Sequence, residues 1–394
     1  MITVAQALEF VKTHSTPTHN FETKIVREAL GYVLSHDVRS SLNMPPFRQS
    51  AMDGYALCLH EDDNYKIIGE VKAGDANNPV LKKGEAVRIF TGAPVPDSAN
   101  AVIMQEKVTV QHKDLTLLAK MSINQNIRAL GEQVKQGEIA LKKGTQITPA
   151  AIGFLSSLGI QEVSVVKKPS IAIVVTGNEL AQVGDTLEYG QVYESNAIML
   201  TTVLNGLGFT DNSSYKVADN YADTVALLKQ VINKHDAVLI SGGISVGDYD
   251  FVGRALQELN VTSHFYKVKQ KPGKPLFFGT KNETLVFALP GNPGAALTCF
   301  YVYVYTALQR WAGNKNFATT TTTAISQTPF VKKGDRAQFL KAIYTANKVQ
   351  ILDGQNSSML HTFSLANALV FVAQDCETIN INDQVDVILL PLTF

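Results

Sequence analysis

The sequence predicts a multi-domain α/β protein, with a central doubly wound α/β domain, an N-terminal mixed α+β region and a small C-terminal β domain. Three observations predict it. At 394 residues the chain is too long for one simple core, which implies about two to four domains. From Ile171 onward, strand-like and helix-like segments alternate, the order that builds an open sheet with helices on both faces. Two of the strand candidates, in IAIVVTGNEL (171–180) and AVLISGGISVGDYD (237–250), are apolar without alternation and run into glycine. Such strands are buried on both faces in parallel sheets, and ligands bind beyond their carboxyl ends.

The stretch 237–250 carries the most chemistry. Val238, Leu239 and Ile240 give the buried strand, and Ser241, Gly242 and Gly243 follow at once. Paired glycines allow a tight turn, let a ligand approach the backbone, and leave N–H groups free to form an anion-binding nest. Asp248 and Asp250 precede an apolar-periodic segment, Phe251, Ala255, Leu256 and Leu259. A strand, a glycine turn, two acids and a helix suit an anionic ligand with a divalent cation. They equally suit an ordinary strand-to-helix turn with an acidic N-cap. The topology sets Glu179, Ser241, Asp248 and Asp250 on one rim of the sheet.

Apolar residues make up 45% and charged residues 18%, ordinary for a globular protein. Thirty-five basic residues balance 35 acidic ones, so the total charge points to neither nucleic acid nor an anionic membrane. Cys58, Cys299 and Cys376 are far apart, and no CxxC or HExxH spacing occurs. A disulfide framework or structural zinc site is therefore not expected, and free thiols suit a reducing cytoplasm. The N-terminus has no basic region followed by an apolar stretch, so no signal peptide is expected. The longest apolar run, Ala295 to Leu308, is too short to span a bilayer and reads as a buried core helix.

In chain order, Thr3 and Gln6 form a capping box before Val4, Leu8 and Val11 at helical spacing, and Pro17 closes the segment. A second short helix is expected over Thr23 to Leu30, capped by Gly31. Both are too small to bury a core alone and must pack on something else, a second subunit included. MPPFRQSAMDGYAL (44–57) is irregular, stiffened by Pro45 and Pro46, with Asp53 at the apex of an Asp-Gly turn. An aspartate there ordinarily bonds its own backbone. Short strands follow, including Val87 to Phe90 and Ala101 to Met104, around TGAPVPDSAN, where Thr91 either donates to a ligand or satisfies a turn. NIRALGEQVKQGE (126–138) reads as a solvated loop. Ala151, Ile152, Leu155 and Leu158 share a helical face, and Val163 to Val166 is a strand.

Within the α/β region, Asn196 to Leu207 and Ala222 to Ile232 are helical by spacing. KVKQKPGKP brings Lys267, Lys269, Lys271 and Lys274 together on a backbone fixed by proline and glycine. Lysines are usually solvated and inert, but here they can neutralise phosphate or oxyanion charge. The strand Thr284 to Leu289 leads through PGNPG (290–294) into a helix through Trp311, whose N-terminus at Pro293 favours anions. This is neither a P-loop nor a GxGxxG fingerprint. Thr319 to Thr323 mark a linker or an extended edge, and the remainder reads as a β domain of about 70 residues.

SAMDGYA, RIFTGAPVP, NIRALGE, TGNEL, SGGISVGDYD, KPGKP and LPGNP occur in this order. Together they closely resemble the molybdopterin molybdenumtransferase family, which includes the E domain of gephyrin. The resemblance runs over the whole chain. It implies a molybdopterin-binding central domain (170–315), a discontinuous N-terminal helical and dimerisation domain (1–44 with 134–169), a β-rich inserted domain (45–133) and a C-terminal β domain (320–394). It implies a cytoplasmic Mg²⁺-dependent enzyme of molybdenum cofactor synthesis, which converts adenylylated molybdopterin and molybdate into molybdenum-molybdopterin and AMP. Family proteins are elongated homodimers whose cleft combines both subunits, and the molybdopterin adenylyltransferase is an implied partner.

Carried over by motif, the functional positions are Asp53, Thr91, Glu179, Asp219, Asp250, Lys267, Lys271, Pro290 and Pro293, with Arg336 and Ser357 matching positions linked to oxyanion binding. Ser241, Gly242, Gly243, Asp248 and Lys274 join them as substrate-binding residues. Asp53, Glu179 and Asp250 are the candidate Mg²⁺ ligands, because Mg²⁺ prefers oxygen and sits between carboxylates and phosphates. The metal polarises the anhydride, and lysines and turn N–H groups hold phosphate and molybdate. The chain departs from the family pattern at Gln133, often Asp, at Asn178, often Asp, and at Arg48, where the segment is often acidic. Gln133 puts one acidic contribution in doubt. Two other readings compete. An adenylyltransferase would need only the central domain, and a gephyrin-like scaffold would need an interaction linker or second enzyme domain that the sequence does not show.

Overall fold

The computed structural model describes residues 1–244 and 251–391. The chain divides into two compact units. One comprises Met1–Glu22, Gly31–Val33 and the chain from Val166 onward, and the other Thr23–Leu30 and Leu34–Val165. The segment 1–44 is thus divided between them.

The first unit holds a six-stranded sheet in the order Asn212–Val217, Ile171–Thr176, Ala237–Ser241, Thr284–Leu289, Pro275–Lys281, Thr262–Lys267. The first four strands are parallel, Pro275–Lys281 runs antiparallel to both its neighbours, and Thr262–Lys267 runs in the direction of the first four. Alternate residues feed two separate cores. Ile171, Ile173 and Leu239 face one core with the helices Val4–His14, Asn196–Gly206 and the segment from Pro293 to Trp311. Ala172, Val174, Val238 and Ile240 face the other with Tyr221–Lys234 and Phe251–Glu258. Helices therefore cover both faces, as the unbroken apolar strands require. Val4, Ala7 and Val11 are buried in this unit's own core, so the N-terminal helix needs no second subunit to cover its apolar stripe. Its capping box is present, with Thr3 Oγ1 accepting from Gln6 N at 3.2 Å and Gln6 Oε1 from Thr3 N at 2.9 Å.

The C-terminal strands form a sheet that closes on itself, because Ala337–Thr345 pairs with both Lys348–Ile351 and Ala368–Val372. The barrel interior is small and aliphatic, with Ala324, Leu340, Ala342, Val349, Val370 and Val387. The threonine run is not an edge: Thr321–Ser326 lies between Lys348–Ile351 and Gln384–Leu389. Strand Gln270–Lys271, from the lysine-rich loop, adds in parallel to Ala337–Gln338.

The second unit contains a six-stranded sheet in the order Ala101–Met104, Gly54–Leu57, Glu85–Ile89, Asn64–Val71, Asp114–Leu117, Val108–Gln111. The helix expected over Thr23 to Leu30 is instead the strand Phe21–Ile25 and a short 3₁₀ turn, Val26–Glu28. Alternating exposure along FETKI and the β-branched Thr23 and Ile25 favour extended backbone over a two-turn helix. Among the described residues no helix is long and apolar enough to cross a membrane.

Gly54 lies where two strands press closest. A Cβ there would stand 1.7 Å from the Ile103 carbonyl oxygen. Gly54→Ala is therefore expected to destabilise this unit by about 3 kcal/mol. A lowered midpoint for its unfolding transition checks this, and a midpoint equal to wild type contradicts it.

Candidate active site

Three parallel strands end at one level: Val175 lies opposite Ser241, and Ser241 opposite Leu289. Beyond those carboxyl ends opens a cleft of about 800 Å³. Glu179, Asp219, Ser241, Gly242, Gly243, Pro290 and Pro293 all line it, Glu179 and Ser241 at the strand ends. The two glycines of the turn have positive φ, +92° and +62°, and side chains there would strike Thr176 at 2.8–3.0 Å and Val252 at 2.6 Å. Asp248 and Asp250 lie outside the described residues.

Asn178 and Asp219 hold each other across the cleft wall. Asp219 N donates to Asn178 Oδ1 at 3.0 Å, and Asn178 N donates to Asp219 Oδ2 at 3.3 Å. The asparagine thus fixes Asp219 without adding a carboxylate beside it.

Three cleft residues escaped the sequence reading. Asn196 Nδ2 donates to Ser241 Oγ at 2.8 Å and to the Gly291 carbonyl at 2.7 Å, tying two strand-end turns together. Its Oδ1 and the buried Thr176 Oγ1 have no hydrogen-bond partner among the described residues. Buried polar atoms left unpaired at a cleft ask for a ligand's polar groups. Glu194 also lines the cleft, and its Oε1 accepts from Ala197 N at 2.8 Å at the start of the Asn196–Gly206 helix. The only sequence signal was a polar cluster before an apolar helix, which reads as a cap.

The expected anion site at the helix after PGNPG is not free. Gly294 N donates to the Ser357 carbonyl at 3.0 Å, and the next N–H groups, of Ala295 and Ala296, turn back to Asn292 O. Pro293 carries no N–H. The arrangement brings Ser357 to the cleft edge instead, its Oγ accepting from Asn292 Nδ2 at 3.1 Å. Behind it Lys341 is buried, its ammonium donating to the carbonyls of Gly354, Asn356 and Met359 at 2.8–3.2 Å. Desolvation lowers its pKa, and three carbonyls replace the lost water.

The lysine-rich loop joins two antiparallel strands of the same sheet. Lys267 pairs with Pro275, which lines the cleft. Lys274 precedes it, and the Lys274 carbonyl accepts from Val268 N at 3.1 Å. Lys271 does not line the main cleft. It faces a smaller cavity of about 150 Å³ with Pro272, Lys333, Gln338 and Gln355. Lys269 is committed to Asp335 at 3.1 Å, and the hydrogen bond and charge of Lys269 hold the Asp335 carboxyl below 3.8. Arg336 Nη1 donates to the Gln270 carbonyl at 3.3 Å, so it braces this loop.

Asp53 and Thr91 lie in the other unit. Asp53 does not bond its own turn: Oδ1 accepts from Thr91 N at 2.7 Å and from Thr91 Oγ1 at 2.9 Å. Two zipped loops make that contact possible. Gly92 N donates to Ser50 O, Ser50 N to Ala93 O, and Val95 N to Arg48 O. Arg48 explains itself here, since its guanidinium clamps the same loop through the Ala99 carbonyl at 2.7 Å. The Thr91 N–H, then its hydroxyl, with Arg88 adding, hold the Asp53 carboxyl below its ordinary value of 3.8. Whatever Asp53 contributes to stability is complete above 3.8 and is lost as pH falls through the lower folded value.

The description "MoeA N-terminal region (domain I and II)" matches residues 2–159, "Probable molybdopterin binding domain" residues 172–310, and "MoeA C-terminal region (domain IV)" residues 323–390. The molybdopterin molybdenumtransferase of Haemophilus influenzae is 32% identical over 372 residues, 92% of each chain. That of Staphylococcus aureus is 30% identical over 379 residues, 93% of this chain and 90% of its own. The crystal structure of the molybdopterin biosynthesis moeA protein from Pyrococcus horikoshii OT3 superposes with a TM-score of 0.84 at 29% identity, covering 99% of this chain and 100% of that one.

The Asp53–Thr91 contact is open to titration. In Thr91→Val the hydroxyl is gone and the main-chain N–H remains, so the Asp53 pKa is expected to rise part of the way towards 3.8. Carboxyl-carbon NMR across acid pH reads the shift, and an unmoved titration contradicts it.

Proposed function

This chain belongs to the MoeA family and acts in molybdenum cofactor biosynthesis, and from that membership we propose that it inserts molybdenum into adenylylated molybdopterin with release of AMP. The observation that supports this reading is the cleft at the carboxyl ends of the parallel strands, lined by Glu179, Asp219 and a glycine turn. Its volume suits a nucleotide-sized ligand. In the proposed reaction an oxygen of molybdate or water attacks the phosphate anhydride, the P–O bond to AMP breaks and AMP leaves, while the two dithiolene thiols displace one oxygen from molybdate, their two protons leaving with that oxygen as water, and molybdenum stays hexavalent. No protein nucleophile is needed. Ser241 is buried and already accepts from Asn196, and burial pushes the Cys299 thiol up to about 12.

The donor set suits Mg²⁺. Among the described residues no group of three or more His, Cys, Asp and Glu is disposed to hold a metal. Mg²⁺ does not require one, because it takes one or two carboxylates and completes its shell with water and phosphate. Glu179 and Asp250 would hold it. When bound, it would polarise the anhydride and stabilise the departing AMP. The Gly243 N–H would orient a phosphate, while that of Gly242 is given to the Leu289 carbonyl at 3.4 Å. Lys267, Lys271 and Lys274, with Arg336 and Ser357, would hold the second anion. The matches that flank the central domain on both sides favour insertion over a stand-alone adenylyltransferase.

Purified protein with adenylylated molybdopterin, Mg²⁺ and molybdate is expected to release AMP. Glu179→Gln and Asp250→Asn should each slow that release by about tenfold or more at limiting Mg²⁺ without unfolding the protein. Wild-type rates in both variants would remove these carboxylates from the reaction.

We also propose a homodimer. The support is the resemblance to a family whose members are homodimers. Light scattering is expected to give twice the 42.9 kDa chain mass. A single species at the chain mass would reject it.

A further inference from the structure

Gln270 is fully buried, although it stands between the half-buried Lys269 and the exposed Lys271. Its side chain is fully engaged. Nε2 donates to the Gly273 carbonyl at 3.1 Å and lies 3.6 Å from Cys299 Sγ, and Oε1 accepts from the Tyr303 hydroxyl. The Gln270 main chain is held as well, its N–H by Val268 O at 2.8 Å and its carbonyl by Arg336. Gly273 packs on the same helix so closely that a Cβ there would stand 2.4 Å from Cys299 Sγ.

Tyr303 is also fully buried, and burial pushes its hydroxyl pKa well above 10, so it stays a neutral donor. It belongs to a π-helical turn, Phe300–Val304, that interrupts the helix between Pro293–Cys299 and Tyr305–Trp311. Such turns are rare, shift the facing of the side chains they contain, and concentrate at functional sites. This helix begins at Pro293, on the cleft wall. One buried hydrogen bond therefore links the lysine loop to the element that forms part of the cleft.

Stability alone does not require that link. Replacing a buried polar pair by apolar groups of similar shape is often neutral or stabilising, whereas removing one partner leaves the other unsatisfied. Tyr303 already packs against Phe265 at a ring separation of 6.4 Å, so the surroundings would accept an apolar pair.

We infer that Gln270 and Tyr303 are positioning residues that hold the lysine loop, with Lys271 at its smaller cavity and Lys274 beside the cleft-lining Pro275, against the helix that begins at the cleft wall. The inference rests on the reading of those lysines as anion-holding groups. It is tested with Gln270→Leu, Tyr303→Phe and the double variant. Gln270→Leu leaves the Tyr303 hydroxyl and the Gly273 carbonyl unpaired, and Tyr303→Phe leaves Gln270 Oε1 unpaired, so each should lower the unfolding midpoint. The double variant leaves only the Gly273 carbonyl unpaired and should regain part of that loss and a kcat within about twofold of wild type, yet its KM for molybdate should rise about tenfold. Amide exchange over residues 268–274 should quicken about tenfold at the same time.

A merely structural role behaves differently, since a smaller folded fraction lowers apparent kcat and leaves KM alone. A double variant with wild-type KM overturns the inference. If the double variant does not fold, Tyr303→Phe, which keeps the ring, carries the same KM and exchange measurements. If wild-type protein releases no AMP, the proposed reaction fails, and the exchange rates decide alone: quickened exchange sustains the positioning role and unchanged exchange refutes it.

Discussion

The parallel pairing of Ala237–Ser241 between Ile171–Thr176 and Thr284–Leu289 is the constraint on which the cleft depends. It brings three chain segments to one level, and each must then leave the sheet within a residue or two. The central turn has room only for glycine at 242 and 243, because Thr176 and Val252 occupy the space that side chains would need. The register cannot slip. A shift of one residue would move Val238 and Ile240 into the core that holds Leu239, and the reverse. Two apolar cores thus fix the position of polar groups that contribute little to either.

Where local pattern and tertiary demand coincide, the sequence was readable to the residue. Ala101–Met104 and Thr284–Leu289 are apolar runs bounded by turn residues, and they form strands over those same bounds. The doubly wound order followed from alternation, and the rim positions of Glu179 and Ser241 followed from their places at strand ends, whereas Asp219, Pro290 and Pro293 came from the family resemblance. The failures have a common cause, which is that a partner distant in the chain decides the outcome. Thr321–Ser326 is an interior strand only because Gln384–Leu389 and Lys348–Ile351 close around it. Asp53 finds Thr91, not its own turn. The N-terminus of the helix after PGNPG is filled by Ser357 from the C-terminal domain. Gln270 is polar in sequence and core in space, and nothing in KVKQKPGKP distinguishes it from its solvated neighbours.

The charge distribution of the first unit sets a condition on any phosphate that binds there. Glu179, Glu194 and Asp219 line the cleft, and Asn196 Oδ1 adds an acceptor without a donor among the described residues. Of the lysines nearby, Lys269 is committed to Asp335, Lys271 faces the smaller cavity, and the buried Lys341 is committed to three carbonyls. The wall at the strand ends is therefore rich in acceptors and carboxylates. A phosphate charge brought about 4 Å from one carboxylate meets a repulsion on the order of 4 kcal/mol at the effective dielectric of such a site. Turn N–H groups offset part of that and cannot reverse it against more than one acid. A cation between the carboxylates and the phosphate changes the sign of both contacts at once. The proposed Mg²⁺ would thus favour the proposed anionic substrate, with Lys267 and Lys274 beside the cleft-lining Pro275 as the protein's own cations.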